Sequence, residues 1–185
     1  MQEFENFFTT SECQEIISIV DNYVKELNIK NFISALPLFL PENKLNQALN
    51  KLKKEVSNIT NLPFTNQESI LATIYPINSE YKNHHDSFYI EENSIHTKDM
   101  FECNMSHGGQ RIKTALLYLN DDFEGGETEF PKLNLFIKPK TGKLVIWDNV
   151  DNQNQVNHNM IHAAKKIIKG KKYVLVIYLR EKDFI

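Results

Sequence analysis

The sequence predicts a mainly β protein with a layer of helices at its N-terminus. Two stretches among the first 62 residues repeat apolar side chains at the spacing of amphipathic helices. After residue 63 the chain changes to short stretches rich in β-branched and aromatic residues, separated by Gly, Pro and Asp turns. Because no helical pattern lies between these stretches, a sandwich or partly closed barrel is favoured over a parallel sheet.

The two helical patterns define the N-terminal layer. The first follows the N-cap candidates at 9–11 and ends near Asn28, and the second covers 43–59. Between them, 30–42 holds two prolines, which disfavour a continuous helix. This segment is either a short strand and turn or a hydrophobic flap over a site.

The β-rich part of the chain carries seven predicted strands. They are 69–75, 111–119, 128–130, 134–138, 143–147, 160–168 and 173–180. Two long polar stretches, 90–110 and 148–159, are predicted to be irregular, and loops of that length are usually functional or disordered. With 30–42 they are the candidate lids of a site. We expect the 185 residues to form one domain, with a helical support layer at 1–62 and a β core at 63–185.

Composition narrows the classes of partner. The 21 basic and 24 acidic residues are interspersed and give a formal charge of −3, so neither nucleic acid nor membrane is indicated as an obligate partner. The first ten residues lack the pattern of a signal peptide, and no apolar run approaches a membrane span. Two distant cysteines, Cys13 and Cys103, are expected to be free thiols. These features predict a cytoplasmic protein.

The first chemical signal is the pair His84 and Asp86. In a strand, side chains two residues apart point to the same face, so these two can converge on one point while His85 turns away. An imidazole and a carboxylate at this spacing form half of a 2-His-1-carboxylate iron site. The other imidazole must come from elsewhere in the chain.

Two histidines are the best candidates for that second imidazole. His162 begins a predicted extended segment, and a strand holds ligand geometry better than a loop does. His158 lies in the preceding loop and is the alternative, whereas His96 and His107 fall in the irregular stretch that follows His84. The residues alone favour His162 but leave His158 open.

Several further motifs follow the same order along the chain. They are Tyr75, Tyr81, the His84-x-Asp86 pair, Gln110-Arg111, the strand end 118–121, the hairpin 125–131, the turn 139–142, Trp147 and His162. Together they resemble the prolyl 4-hydroxylase branch of the Fe(II)/2-oxoglutarate-dependent dioxygenases. The resemblance covers about Ser69 to Arg180, and it implies a double-stranded β-helix, or jelly roll, as the catalytic core.

The resemblance also implies which residues form the site. His84, Asp86 and His162 would bind Fe(II). A basic residue ten positions after the distal histidine would pair with the cosubstrate carboxylate, and that residue is Lys172. Tyr75 would support the same carboxylate. The implied cofactors are Fe(II), the cosubstrate 2-oxoglutarate and O2, with ascorbate as a further requirement.

Other positions carry weaker expectations. Asn78 replaces a glycine found in many relatives, and asparagine tolerates a left-handed backbone better than most residues. His85 is expected to pack or to lie behind the ligands, and Trp147 to form core or pocket wall. Arg111 is equally suited to a structural ion pair and to substrate contact.

The activity implied by the resemblance is hydroxylation of a C–H bond coupled to oxidative decarboxylation of 2-oxoglutarate. The leading expectation for the substrate is a prolyl residue in a peptide or protein. A free amino acid or another small molecule is the alternative substrate class. A jelly-roll module that binds metal or an oxoacid without catalysis is the alternative from another functional class. The sequence leaves the oligomeric state open.

Overall fold

The computed structural model describes residues 1–89 and 98–184 and consists of two main sheets with helices against one of them. The helices are α1 (Thr10–Glu26), α2 (Gln47–Thr60) and α3 (Lys98–Ser106). The strands are β1 (Gln2–Phe4), β2 (Leu36–Phe39), β3 (Leu71–Tyr75), β4 (Tyr81–His84), β5 (Arg111–Tyr118), β6 (Glu124–Gly125), β7 (Thr128–Phe130), β8 (Leu135–Ile137), β9 (Leu144–Asp148), β10 (His162–Ala164), β11 (Ile167–Lys169) and β12 (Lys172–Arg180).

The sheets have the arrangement of a jelly roll. The larger sheet has the order β1-β9-β5-β12-β3-β2, the smaller one has the order β4-β10-β7-β8, and β11 pairs with β6. All strand pairs in the described residues are antiparallel. The prediction of a mainly β jelly roll with N-terminal helices is confirmed.

Helix α1 begins where its capping residues predict. The side chain of Thr9 accepts a hydrogen bond from the Glu12 amide, and the Glu12 carboxylate accepts one from the Thr9 amide, which completes a capping box. The apolar faces of α1 and α2 pack on one face of the larger sheet, where Ile16 and Leu49 are fully buried. This layer closes the side of the sheet that faces away from the site.

Strand β12 separates two apolar clusters. Leu175, Ile177 and Leu179 belong to the cluster shared with the helices, whereas Val174 and Val176 belong to the cluster between the sheets. Every residue of β12 is buried, as expected for a central strand covered on both faces. Lys172 has the same parity as Val174 and therefore points between the sheets.

Three sequence expectations need correction in their details. Strand β1 was not predicted. The predicted strand 160–168 is two strands, because β10 pairs in the smaller sheet while β11 leaves it to pair with β6. The stretch 90–110 is not irregular throughout, since α3 occupies 98–106. This helix buries none of its residues, so it leaves no apolar periodicity in the sequence.

The residue that replaces a family glycine keeps the expected turn. Asn78 has φ +67, in the left-handed region, and its amide donates to the Ile167 carbonyl at 2.8 Å.

Among the described residues the two cysteines are free, with Cys13 buried and Cys103 exposed. None of the described helices is long and apolar enough to cross a membrane.

Candidate metal centre and cosubstrate pocket

The three predicted metal ligands meet between the sheets. Nε2 of His84 lies 3.6 Å from Oδ1 of Asp86, and Nε2 of His162 lies 3.6 Å from Oδ2 of the same carboxylate. One ligand atom from each of the three residues lies within 4.8 Å of the others. His84 and His162 are directly opposite each other on β4 and β10. This cross-strand pairing brings together imidazoles that are far apart in the sequence.

Hydrogen bonds fix the orientation of both imidazoles. Nδ1 of His84 lies 2.7 Å from the Lys82 carbonyl, and Nδ1 of His162 lies 2.9 Å from the Met160 carbonyl. A carbonyl only accepts, so each Nδ1 donates its proton and each Nε2 keeps a free lone pair for a metal. Burial, together with the neighbouring His162, lowers the pKa of His84 to about 4, which keeps the imidazole neutral.

The carboxylate of Asp86 is held by a short polar chain. The Thr114 hydroxyl donates to Asp86 Oδ2 at 2.7 Å, and the Asn149 amide donates to the Thr114 oxygen at 2.8 Å. All three residues are buried. The arrangement therefore offers two neutral imidazoles and one oriented carboxylate on one side of a point, which is the donor set of a facial iron site.

The metal centre opens into a cavity of about 340 Å³. Its walls are largely apolar, with Leu71, Leu116, Val174 and Val176 among the lining residues. Tyr75 and Lys172 line the same cavity and are directly opposite each other on β3 and β12. The structure thus places the predicted ligands and the predicted cosubstrate anchors in one space.

Lys172 is a buried basic residue that forms no ion pair with the described residues. Its side chain is 1% exposed, and Nζ donates to the Gly126 carbonyl at 2.6 Å and lies 5.1 Å from the Tyr75 ring centroid. No ion pair among the described residues includes Lys172, and burial lowers its pKa to about 7. A buried ammonium is costly unless an anion meets it, so this end of the cavity suits a carboxylate.

Thr128 is a polar residue of the pocket to which the sequence reasoning gave no role. Thr128 lines the cavity, and its hydroxyl lies 2.6 Å from that of Tyr118, whose ring is 5.3 Å from Lys172 Nζ. Thr128 directly follows Gly125-Gly126-Glu127. The motif therefore predicted the turn, but it did not indicate that the Thr128 hydroxyl lies in the pocket. Thr128 is a further candidate donor to the distal carboxylate.

His85, His158 and Arg111 contact other protein side chains and do not line the cavity. The rings of His85 and His158 lie 5.2 Å apart, and neither residue lines the cavity. Arg111 forms two hydrogen bonds with the buried carboxylate of Glu68, so the ion-pair alternative describes what the structure shows. His96 lies outside the described residues.

The three candidate lids differ in their relation to the cavity. Ser34, Ala35 and Pro37 line it, and β2 pairs with β3, so 30–42 is both a strand and a cover. None of the described lining residues comes from 98–110 or 148–159. Residues 90–97 lie outside the described part of the chain. A covering role is therefore visible for the first segment alone.

We predict that Gly126→Ala weakens cosubstrate binding while leaving the metal ligands in place. Gly126 has φ +72, and an added Cβ would lie 2.6 Å from Ile167 Cδ1 and 3.3 Å from Lys172 Cδ. The strain would displace the carbonyl that orients the ammonium, and we expect a several-fold loss of 2-oxoglutarate affinity by calorimetry with unchanged metal affinity. Gly109→Ala is the control, because Gly109 has a similar φ of +76 but contacts Glu181. Equal losses in both variants would contradict the local explanation.

Comparisons with known proteins agree with this geometry. The family model described as the 2OG-Fe(II) oxygenase superfamily matches residues 70–180. A protein of Acanthamoeba polyphaga mimivirus named "Putative prolyl 4-hydroxylase" is 31% identical over 185 residues, covering 97% of this chain and 73% of that protein.

Solved structures show the same fold. The viral collagen prolyl hydroxylase of Paramecium Bursaria Chlorella virus-1, in complex with 2OG, superposes with a TM-score of 0.76 at 20% identity, over 97% of this chain and 94% of that one. A Trichoplax adhaerens prolyl hydroxylase in complex with a hypoxia inducible factor peptide gives 0.66 at 16% identity, over 97% and 83%. Ligand geometry, family match and fold agree, and the chain belongs to the 2OG-Fe(II) oxygenase superfamily as a prolyl 4-hydroxylase-like dioxygenase.

Proposed function

We propose that this protein hydroxylates a prolyl residue in a peptide or protein, using Fe(II), 2-oxoglutarate and O2. The observation that carries the proposal is the single cavity that contains His84, Asp86, His162 and the uncompensated Lys172. The named activities of the relatives support the prolyl substrate. In such a site Fe(II) supplies oxidative decarboxylation of the oxoacid and oxygen transfer to a C–H bond.

The chain's own residues would bind and orient the reactants. The two imidazoles and the carboxylate would hold Fe(II) from one side of the site and would leave the open side for cosubstrate and O2. Lys172, supported by Tyr75 and Thr128, would hold the distal carboxylate of 2-oxoglutarate. The apolar walls exclude water from the reacting groups.

The cavity favours a peptide over a free amino acid. Apart from the three ligands and Lys172, Glu80 is the only charged residue among the described residues that line it, and Glu80 is exposed. A free amino acid requires an additional fixed cation for its own carboxylate, and the described lining offers none. A peptide, whose backbone is uncharged, has no such requirement.

The test is succinate release with Fe(II), 2-oxoglutarate and ascorbate, with and without proline-rich peptides. We expect turnover to depend on the peptide, and the product to gain one oxygen on proline by mass spectrometry. Matched peptides with alanine for proline, and free L-proline, are the substrate controls, and Asp86→Ala is the enzyme control. Turnover with free proline but not with peptides would favour the amino-acid alternative. Absence of oxoacid turnover under every condition would favour the binding module.

We predict that cosubstrate affinity falls as the pH rises above about 7. With the pKa of Lys172 lowered to about 7 by burial, the amine of the empty site is neutral above that pH. The incoming carboxylate favours the ammonium form of Lys172. Binding therefore takes up about one proton above pH 7 and none at a pH well below 7. This proton uptake is measured by calorimetry of 2-oxoglutarate binding in buffers of different ionisation enthalpy. A pH near 8.5 is suitable, because it lies roughly two units below the reference pKa of lysine.

The control for that experiment is Lys172→Arg, because arginine stays protonated throughout this range. We expect the variant to show no proton uptake, even if its affinity is lower. Equal uptake by the variant and the unmodified protein would assign the proton to another group.

A further inference from the structure

Gln110 is a buried polar residue to which the proposed function gives no role. It is 7% exposed, it is not among the described residues that line the cavity, and it directly precedes β5. Its side-chain amide lies against the backbone of Phe88, two residues after the predicted ligand Asp86. Gln110 therefore contacts the chain segment that carries the metal-binding carboxylate.

This segment has little support from backbone pairing of its own. Strand β4 ends at His84, and Asp86 and Ser87 form a bend. Among the described residues, no backbone–backbone hydrogen bond involves 86–88, and the buried Ser87 hydroxyl has no partner. Because few backbone hydrogen bonds make a segment locally unstable, the position of Asp86 depends on other contacts.

Gln110 supplies the missing backbone partners. Its Oε1 accepts from the Phe88 amide at 2.7 Å, and its Nε2 donates to the Phe88 carbonyl at 2.8 Å. These two bonds reproduce the way in which a neighbouring antiparallel strand pairs with one residue. The Arg111 amide also donates to Oε1 at 2.9 Å, and the Glu181 amide donates to the Gln110 carbonyl at 2.9 Å. Gln110 is thus itself fixed between β5 and the end of β12.

The ring of Phe88 is also held in place. The guanidinium carbons of Arg111 and Arg180 lie 4.9 Å and 4.6 Å from its centroid. Both guanidinium groups pair with the buried carboxylate of Glu68, at 2.6 Å and 2.5 Å. A cation near the face of an aromatic ring attracts it. Phe88 is therefore fixed through its backbone and through its side chain.

One stretch of chain holds both ends of the bend. Gln110 binds the backbone of Phe88, and Thr114, four residues later, donates to Asp86 Oδ2 at 2.7 Å. Two residues of chain span at most about 7 Å, so a fixed Phe88 limits the positions that the Asp86 carboxylate can take. The two contacts together set this carboxylate relative to the imidazoles of β4 and β10.

We propose that Gln110 is a positioning residue for the metal centre: it pairs with the backbone of Phe88 and thereby holds the Asp86 carboxylate where both imidazoles can share a metal with it. The inference rests on the proposed function, since it assumes that a divalent metal binds at Asp86. Gln110 would contact neither metal nor cosubstrate and would act through the segment 86–88.

The test replaces Gln110 by methionine, which has a similar length but cannot make the two backbone hydrogen bonds. The matched control is Gln67→Met, because Gln67 is 5% exposed and donates to the Lys53 carbonyl on α2, away from the cavity lining. Both changes remove a buried hydrogen bond between a side chain and the backbone, so both should lower the unfolding temperature. Calorimetry with Mn(II) and the visible absorption spectrum of the Co(II) protein are measured at a temperature where each variant is folded.

We expect Gln110→Met to bind Mn(II) at least about tenfold more weakly, as for other groups that orient a metal ligand. Its Co(II) absorption should also change, because that absorption reports the geometry of the ligands. Gln67→Met should keep the affinity and the spectrum of the unmodified protein. Unchanged affinity and spectrum in folded Gln110→Met would overturn the inference, and so would equal changes in the two variants.

Gln110→Glu keeps the test decisive if the methionine variant does not fold. Glutamate has nearly the same shape and still accepts from the Phe88 amide, but as a carboxylate it cannot donate to the Phe88 carbonyl. We expect a several-fold loss of Mn(II) affinity, smaller than that of Gln110→Met. An affinity equal to that of the unmodified protein would contradict the positioning role.

The result is distinguishable from a failure of the proposed function. If the unmodified protein binds Mn(II) but turns over no 2-oxoglutarate, the proposed function fails, and the variants still decide the role of Gln110. If it binds Mn(II) and turns over the oxoacid, and the Gln110 variants bind Mn(II) equally well, only the role of Gln110 fails. Absence of any divalent-metal binding by the unmodified protein would overturn both.

Discussion

Replacement of His162 by alanine is expected to abolish iron binding, whereas His158→Ala leaves it nearly intact. His162 supplies one of three ligand atoms that lie within 4.8 Å of one another, while the His158 ring packs against His85 and Tyr89 away from the cavity lining. Since loss of a group that merely orients a ligand costs up to about 100-fold in metal affinity, loss of the ligand itself should cost more. Anaerobic calorimetry with Fe(II) measures both variants.

The control for this comparison addresses packing. His162 is buried and lies against Phe130 and Trp147, so alanine leaves a void that could destabilise the fold. His162→Gln keeps most of the volume and should also lose iron while retaining more of its thermal stability. Retention of iron by His162→Ala together with its loss in His158→Ala would reverse the ligand assignment.

Replacement of Lys172 by methionine is expected to raise the 2-oxoglutarate dissociation constant by roughly 30-fold or more, as for other buried charge pairs that lose one partner. Methionine fills the apolar space of the lysine stem but cannot meet the carboxylate. Iron affinity should stay unchanged, because Lys172 is not among the ligand atoms. Calorimetry with each ligand in turn separates the two effects.

The matched control is Lys171→Met, because Lys171 is exposed and points to the opposite face of the chain. It should bind 2-oxoglutarate as the unmodified protein does. We also expect Lys172→Met to unfold at a temperature no lower than the unmodified protein, since it removes an ammonium that burial disfavours. An unchanged oxoacid affinity in Lys172→Met would refute the anchoring role.

The local part of the site could be predicted from the sequence, and the long-range part could not. Strand parity predicted that His84 and Asp86 share one face. In the structure β4 ends at His84 and Asp86 lies in the bend that follows, yet Nε2 of His84 is 3.6 Å from Oδ1 of Asp86. The pairing of β10 with β4 is what brings His162 opposite His84. The sequence reasoning could not predict this pairing, and it chose His162 over His158 through the family resemblance. The contact of Thr114 with Asp86 also joins distant segments, and no local pattern marked it.

The errors in the fold have a similar cause. Helix α3 buries none of its residues, and its ion pair between Lys98 and Glu102 is a weak signal. Strand β1 is formed by its pairing with β9, which makes it the edge strand of the larger sheet, and three residues are too few to show a period. Elements with an apolar face of their own, such as α1 and α2, were predicted well.

The burial of β12 on both faces has a consequence for how the chain finds its register. A slip of one residue exchanges the two faces of a strand, and where both are apolar the hydrophobic effect penalises that slip weakly. The polar ends of β12 distinguish the alternatives, because Lys172 must reach the Gly126 carbonyl and Arg180 lies 2.5 Å from Glu68. Lys172, which would bind the cosubstrate, thus also helps to select the correct register of β12 during folding. A strand in the wrong register would lose both its native pairing and the binding pocket.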